Sequence, residues 1–303
     1  MSILSQPYFH NEAAAYQFVE SRLWPSGPVC PHCGGVDRIS PMRGNSTRMG
    51  VYKCYDCRKP FTVKIGTIFE SSHIKMRLWL QAIFLIASSK KGISSNQLHR
   101  TLGITLKSAW FMSHRIREAM KDGSADPLGG EGSTVEVDET FVGRKEGRKK
   151  AKAGYAHKNA VFSLVERSGK VRSFHVADVT AETLKPIIKK QMSEKSKLMT
   201  DDAGQYRILG KVSETHETVA HMHKEYVRGE VHTNTVEGFF SIFKRGIYGT
   251  YQHVSEHHLQ RYATEFDFRY NNRQALGVED AERAENLLRG AKGRRLMYKT
   301  PHQ

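Results

Sequence analysis

The chain is poor in negative charge, poor in cysteine and without a long apolar run. Only 31 of its 303 residues are Asp or Glu, against 47 Lys and Arg, which leaves a formal charge of +16. A surplus of that size repels itself in a compact fold, and it leads us to expect a polyanionic partner. No stretch approaches the roughly 20 apolar residues of a membrane span. The best run, Trp79 to Ala87, is short and interrupted by Gln81. The opening MSILSQPYFHNEAAAY lacks the basic-then-apolar layout of a signal peptide, so the expected compartment is a reducing cytoplasm. Membrane proteins, secreted disulfide scaffolds and fibres are thereby excluded. The 39% of hydrophobic and 10% of aromatic residues argue against wholesale disorder. The length suits two or three domains.

The four cysteines fall in two pairs, Cys30-Pro31-His32-Cys33 and Cys54-Tyr55-Asp56-Cys57, with 20 residues between them. A two-residue spacer lets both thiolates of a pair face one ion, and two such knuckles supply the tetrahedral sulfur set that Zn²⁺ prefers. Gly34-Gly35 after the first pair and Arg58-Lys59 after the second suit knuckle turns. A redox CxxC motif or unrelated buried thiols would explain single pairs. Two pairs with nothing left over point to one structural zinc, held by four thiolates that leave no open position. His32 reads as a bystander.

Met76, Trp79, Leu80, Ile83 and Ala87 then recur at helical spacing. Ser94 precedes a short helix carrying Leu98 and Leu102; Gly103 breaks it, and Thr105 can cap another with Leu106, Ala109, Trp110, Ser113 and Ile116 in period. The second helix also offers the cations Lys107, Arg115 and Arg117. A short helix, a glycine turn and a basic second helix is a helix-turn-helix pattern, with Lys107, Arg115 and Arg117 as candidate DNA contacts. A plain helical hairpin with a solvated basic face has the same signature. The Gly-, Asp- and Ser-rich 122–134 reads as a linker.

The second half alternates over Thr134–Gly143, with Val135, Val137 and Phe141 on one face and Glu136, Asp138 and Thr140 on the other. Acids at the centre of a strand are disfavoured unless a cation sits on them. Two further strands are expected at 159–166 and 170–178, then a helix over about 181–192 capped by Thr180, then a strand at 197–200 ending in Asp201-Asp202. In His232–Lys244 a helix would bury Val236, Phe240, Phe243 and Ile247 and place Glu237, Ser241 and Lys244 along a second stripe. Asn234-x-x-Glu237 also fits a capping box, which would make Glu237 a device for starting the helix. Together Asp138, Asp201 and Glu237 make a strand, strand, helix frame. Such a frame can hold two divalent ions about 4 Å apart, one activating a hydroxyl and one stabilising a leaving 3′ oxygen. Hard oxygen ligands select Mg²⁺ or Mn²⁺.

VEVDETFVGRK, TDDAGQY and HTNTVEGFFSIFKRGIYGTYQHVSEHHLQRYATEFDFRYNNR resemble the DDE transposases of bacterial insertion sequences, in the zinc-ribbon branch, insertion sequence family 1595. The resemblance runs over nearly the whole chain. It implies a mixed α/β architecture: a ribonuclease-H-like catalytic domain preceded by a zinc ribbon and a helix-turn-helix-like helical segment. It also implies metal-dependent cutting and joining of DNA ends. Its acidic positions fall on Asp138, Asp201 and Glu237, and its following basic residue on Lys244, expected to hold a phosphate near the scissile bond. Parts of the family use Asn as the third ligand, so Asn234 stands beside Glu237 for that place; Asp202 is auxiliary. The implied partners are double-stranded DNA, as terminal repeats and as target, and a second copy of the chain in a homodimer or higher oligomer on paired ends. When DNA-bound the protein would be associated with the nucleoid.

The loop after the first acidic strand carries Arg144, Lys145, Arg148, Lys149, Lys150, Lys152 and Lys158 against one acid, Glu146. A solvated charged loop is one reading; contact with DNA phosphates near the cut is the other, favoured by its position. The expected organisation is a helical lead-in at 1–27, the ribbon at 28–70, the helical segment at 71–121, the linker at 122–134, the catalytic domain at 135–275 and a loose basic tail at 276–303. Leu259, Tyr262, Ala263, Phe266 and Tyr270 read as core packing, with Arg269 and Arg273 flanking them as possible DNA contacts. Two other readings share the charge and the zinc: a DNA-binding regulator that cuts nothing, and a ribonuclease-H-fold nuclease that cuts without joining.

Overall fold

The computed structural model describes residues 2–151, 154–208, 212–220 and 227–297. The chain forms two compact units, Met1–Lys121 together with Val278–Gln303, and Asp122–Gly277. Among the described residues no helix is long and apolar enough to cross a membrane.

In the first unit, α1 (Glu12–Leu23) starts at Asn11, whose side chain accepts from the Ala14 amide, and buries Ala15, Val19 and Leu23 at four-residue spacing. The ribbon is an antiparallel sheet of β1 (Ile39–Pro41), β2 (Tyr52–Cys54) and β3 (Pro60–Phe61) in that order. Helix α2 (Met76–Ser88) is buried at seven positions, from Met76 to Ala87. Its cap is non-local: the Glu12 carboxylate accepts from the Met76 and Arg77 amides at 2.6 and 3.2 Å. Ser94 and Thr105 cap α3 (Ser95–Leu102) and α4 (Leu106–Ala119), and Gly103 between them takes the left-handed conformation at φ 64°.

The C-terminal segment departs from the expected loose tail. Helix α9 (Asp280–Arg289) buries Leu287 and Leu288, and Arg294 beyond it donates to the Glu118 and Lys121 carbonyls at 2.5 and 2.6 Å. These carbonyls lie in and just after the last turn of α4, where the ordinary helical partners run out. This cation therefore closes a helix of the same unit.

The second unit is built on a mixed sheet of β4 (Thr134–Val142), β5 (Asn159–Glu166), β6 (Val171–Val176), β7 (Lys197–Asp201) and β8 (Thr215–Val219). Among the described residues its order is β6-β5-β4-β7-β8. β5 runs antiparallel to both β4 and β6, and β7 and β8 run parallel to β4. This is the ribonuclease-H-like arrangement. Val135 and Val137 pack with Leu184 and Ile188 of α5 (Ala181–Gln191) on one face. Val142 packs on the other face with α7 (Asn234–Gly246) and α8 (Leu259–Asn271). The short α6 (Gly204–Arg207) lies between β7 and β8, and a hairpin of β9 (Val227–Arg228) and β10 (Val231–His232) precedes α7.

The outer edge of β6 would expose unpaired backbone groups. Side chains of α8 cover it at alternate residues. Asn271 accepts from the Val171 amide, Asp267 from the Ser173 amide and Gln260 from the His175 amide, at 2.7, 2.8 and 2.7 Å. Asn271 and Gln260 also donate to the Val171 and Ser173 carbonyls. The two arginines expected to flank this helix as DNA contacts are engaged within the fold. Arg269 is buried against Glu265, and Arg273 donates to the Gly169 and Tyr270 carbonyls.

The Asp267 carboxyl is pushed up to about 7, first by loss of water and then by the charge of Asp122, against the lowering effect of its Ser173 bonds. That lies above the value near 3.9 expected in the unfolded chain. The folded form thus keeps a proton that the unfolded form gives up, and stability declines as pH rises from about 4 to about 7, levelling off above. Asp267→Asn removes the titration and keeps the acceptor. It is expected to melt above the wild type by a margin that widens across that window; a constant margin in thermal scans would contradict this assignment.

Candidate active site and zinc cluster

Backbone bonds shape both cysteine knuckles: Gly34 donates to the Cys30 carbonyl, Cys30 to that of Gly35, and Cys54 to that of Lys59. Gly34 and Arg58 take positive φ values of 78° and 61° to turn the chain around the sulfurs. The four Sγ atoms lie within 4.8 Å of one another, with Cys30–Cys57 and Cys33–Cys54 both at 3.6 Å. This is far beyond a disulfide bond, and it matches the edge of about 3.8 Å of a tetrahedron with Zn–S near 2.3 Å. The sulfurs compete for protons. Although the Gly35 amide lowers it, the Cys33 thiol is pushed up to about 12 by the neighbouring sulfurs and burial. Against burial, the His32 and Cys33 amides bring Cys30 down to about 7. Four thiolates share this space only around a cation, so the donor set fits one structural Zn²⁺.

The acidic site starts from strand register. β4 and β7 pair at Thr134–Lys197, Val135–Leu198 and Glu136–Met199, and the pairing stops there. Extending that register by two residues sets Asp138 beside Asp201, which ends β7. The pairing therefore ends before the two aspartates, with β4 running on to Val142. On its other side Asp138 pairs in register with Ser163 of β5.

Asp138 illustrates the electrostatics of this acidic cluster. Its Oδ1 accepts from the Glu139 amide at 2.7 Å. Yet its carboxyl is pushed well above the ordinary range, first by burial and then by the charges of Glu139, Asp201 and Glu237. Glu139 is also raised, first by burial and then by Asp201, although it accepts from Tyr206 Oη at 2.5 Å and Gln205 Nε2 at 2.9 Å. Asp201 Oδ1 accepts from the Ala203 amide. Asp202 turns aside to Arg207, 3.5 Å away. Four carboxylates therefore act on one another here.

On α7, Val236, Phe240 and Phe243 are buried, while Glu237, Ser241 and Lys244 form an exposed row. The capping box read from Asn234-x-x-Glu237 does not form. Thr233 occupies the cap position and Asn234 is the first helical residue, exposed. Glu237 instead accepts from Thr233 Oγ1 at 3.1 Å. The amides of Thr235 and Val236 are satisfied by Glu136 of β4, at 2.7 and 3.0 Å. Neither this bond nor the Glu139–Tyr206–Gln205 group could be read from sequence, because the partners lie 66 to 100 residues apart. The only local signal for Glu136 was an acid amid valines.

The basic residues divide. Arg144, Arg148, Lys149 and Lys150 are exposed, and Lys145 is half-buried with its Nζ on the Ala177 carbonyl at 2.7 Å. Lys152 lies outside the described residues. In the first unit Lys107 is exposed on the first turn of α4. Arg115 and Arg117 are buried, at 7% and 1% exposure, and the expectation that they contact DNA is corrected. Arg115 donates to the Ile68, Glu70 and Leu296 carbonyls and Arg117 to Ser113 Oγ. All of α4 from Met112 to Ala119 is buried in its unit, so periodicity alone misassigned its basic face.

Residues 127–271 match the family of the ISXO2-like transposase domain, and residues 10–60 match the transposase zinc-ribbon domain. The chain is also similar to an uncharacterised protein in the transposable element ISH50 of Halobacterium salinarum. The two are 28% identical over 278 residues, 86% of this chain and 91% of that protein.

Cys54→Ser removes a buried corner of the sulfur set. It is expected to lower bound zinc from about one per chain to near none and to loosen the ribbon. Metal analysis of the purified variant checks this, and full zinc retention would refute the four-sulfur assignment.

Proposed function

Because the chain belongs to the ISXO2-like transposases with an N-terminal transposase zinc ribbon, we propose that it cuts DNA at the ends of an insertion element and joins the freed 3′ hydroxyl to target DNA. The observation that carries this reading is the Asp138 carboxyl, raised well above its ordinary range first by burial and then by the charges of Glu139, Asp201 and Glu237. Such a group is costly unless a cation completes it. The hard oxygen donors of Asp138, Asp201 and Glu237 fit Mg²⁺ or Mn²⁺. A bound pair of these ions supplies activation of the attacking oxygen and stabilisation of the leaving 3′ oxygen.

The remaining work falls to the chain. Asp138 and Asp201 hold their carboxylates on neighbouring strands, just past the last β4–β7 pair. Glu237 closes the set from α7, and Asn234, exposed at the start of that helix, is the other claimant to the third place. Lys244, two turns beyond Glu237, orients a phosphate. The loop with Arg144, Lys145, Arg148, Lys149 and Lys150 grips the backbone near the cut. Lys107 leads the exposed first turn of α4 toward the duplex, as the N-terminal end of a recognition helix does. The ribbon and the α3–α4 pair recognise the terminal repeats, and two or more copies act on paired ends.

Asp138→Asn is expected to lower Mg²⁺-dependent nicking and strand transfer on a terminal-repeat duplex by at least about a hundredfold while sparing DNA binding. Retained strand transfer would remove Asp138 from the site. Nicking without joining by the wild type would instead mark a nuclease, and neither activity a DNA-binding regulator. For the basic loop, the paired change Lys149→Ala and Lys150→Ala should flatten the salt dependence of DNA binding, by about 0.9 in log–log slope for each phosphate no longer neutralised. An unchanged slope in a salt titration would make the loop a solvated one.

A further inference from the structure

Glu136 is wholly buried, at 0% exposure, two residues before Asp138 on the same face of β4. Its carboxylate collects donors from three separate parts of the chain. From the start of α7 come the Thr235 amide and hydroxyl at 2.7 and 2.8 Å and the Val236 amide at 3.0 Å. From the β5–β6 turn comes Arg167 Nε at 2.7 Å. The ring Nδ1 of His232, at the end of β10, lies 3.2 Å away. Arg167 is anchored in turn, donating to the Glu230 carbonyl at 2.8 Å and the His232 carbonyl at 3.0 Å.

A helix start is ordinarily served by its own cap residue, at little cost. The Thr233 hydroxyl donates to the Glu237 side chain and makes no cap bond to an α7 amide. A buried ion pair reaching from another element does the work in its place. Such pairs contribute little net stability, and apolar replacements of the same shape are often as stable. What this pair supplies is position. It ties the first turn of α7 to the strand that carries Asp138, and Glu237 is the residue directly after Val236.

We propose that Glu136, with Arg167 and Thr235, is a positioning clamp that sets Glu237 against Asp138, and that Glu136 takes no part as a metal ligand because its oxygens are already engaged. The inference rests on the reading of Asp138, Asp201 and Glu237 as a cation site. Metal sites depend on such supporting partners, and losing one typically costs about 10- to 100-fold in metal affinity or activity.

The test compares the full-length wild type with the neutral pair Glu136→Gln/Arg167→Met. Four readings are taken: melting temperature, hydrogen exchange of the amides of residues 235–241, Mn²⁺ affinity of the zinc-loaded protein, and the Mg²⁺ concentration for half-maximal nicking. The clamp predicts melting within a few degrees of the wild type, exchange at least about tenfold faster, and Mn²⁺ affinity and Mg²⁺ requirement each worse by about tenfold. A variant that folds with exchange, Mn²⁺ affinity and Mg²⁺ requirement all unchanged overturns the proposal. So does a loss of metal affinity that only tracks melting temperature.

Should the double variant not fold, Thr235→Val removes one donor and leaves the ion pair. It should move the readings the same way by about two- to threefold, and Thr235→Ser should restore them. Equal behaviour of the valine and serine variants overturns the clamp. A wild type that neither nicks DNA nor binds Mn²⁺ overturns the cation-site reading; the exchange readings then decide separately whether Glu136 holds α7.

Discussion

A carboxylate shut away from water must find opposite charge and donors, or keep its proton. The second unit applies that constraint twice on one strand face, with opposite outcomes. Glu136 is met by Arg167, by Thr235 and by the open amides of a helix. Asp138, two residues on, is pushed up first by burial and then by the neighbouring acids Glu139, Asp201 and Glu237. The difference separates a carboxylate whose charge is met by donors within the fold from one crowded by like charges. Composition does not distinguish them, since both are acids among valines in β4.

The same logic governs the surplus of positive charge. A formal +16 points outward to a polyanion, yet many of the arginines face inward. Arg115 and Arg294 tie loops and helix ends of the first unit together. Arg167, Arg172, Arg269 and Arg273 do so in the second. A guanidinium serves this role well because its fork can satisfy several carbonyls at once. The exposed positive charge is therefore smaller than the count implies, and it includes Lys107 on α4 and Arg144, Arg148, Lys149 and Lys150 after β4.

Side chains also finish what the backbone leaves open. Asn271, Asp267 and Gln260 of α8 stand where another strand would lie along β6. Glu12 does the same for the start of α2, and Arg294 for the end of α4. Each device joins residues far apart in the chain to meet hydrogen-bonding groups that secondary structure cannot satisfy alone.

Short-range patterns were legible without coordinates. Cysteine spacing identified the zinc set and alternation identified β4; β5 and β6 were legible as two further strands, Thr180, Ser94 and Thr105 were readable as caps, and the buried stripe of α7 followed from its period. These features are local, set by sterics and hydrophobic periodicity over a few residues. The misreadings all concern which side of an element faces protein. The basic side of α4 is buried, the start of α7 is capped from β4 rather than by Asn234-x-x-Glu237, and C-terminal cations are bound within a unit. Pattern shows that a face exists. Only tertiary packing decides what covers it, because burial and charge compensation depend on groups that the chain brings together across a hundred residues.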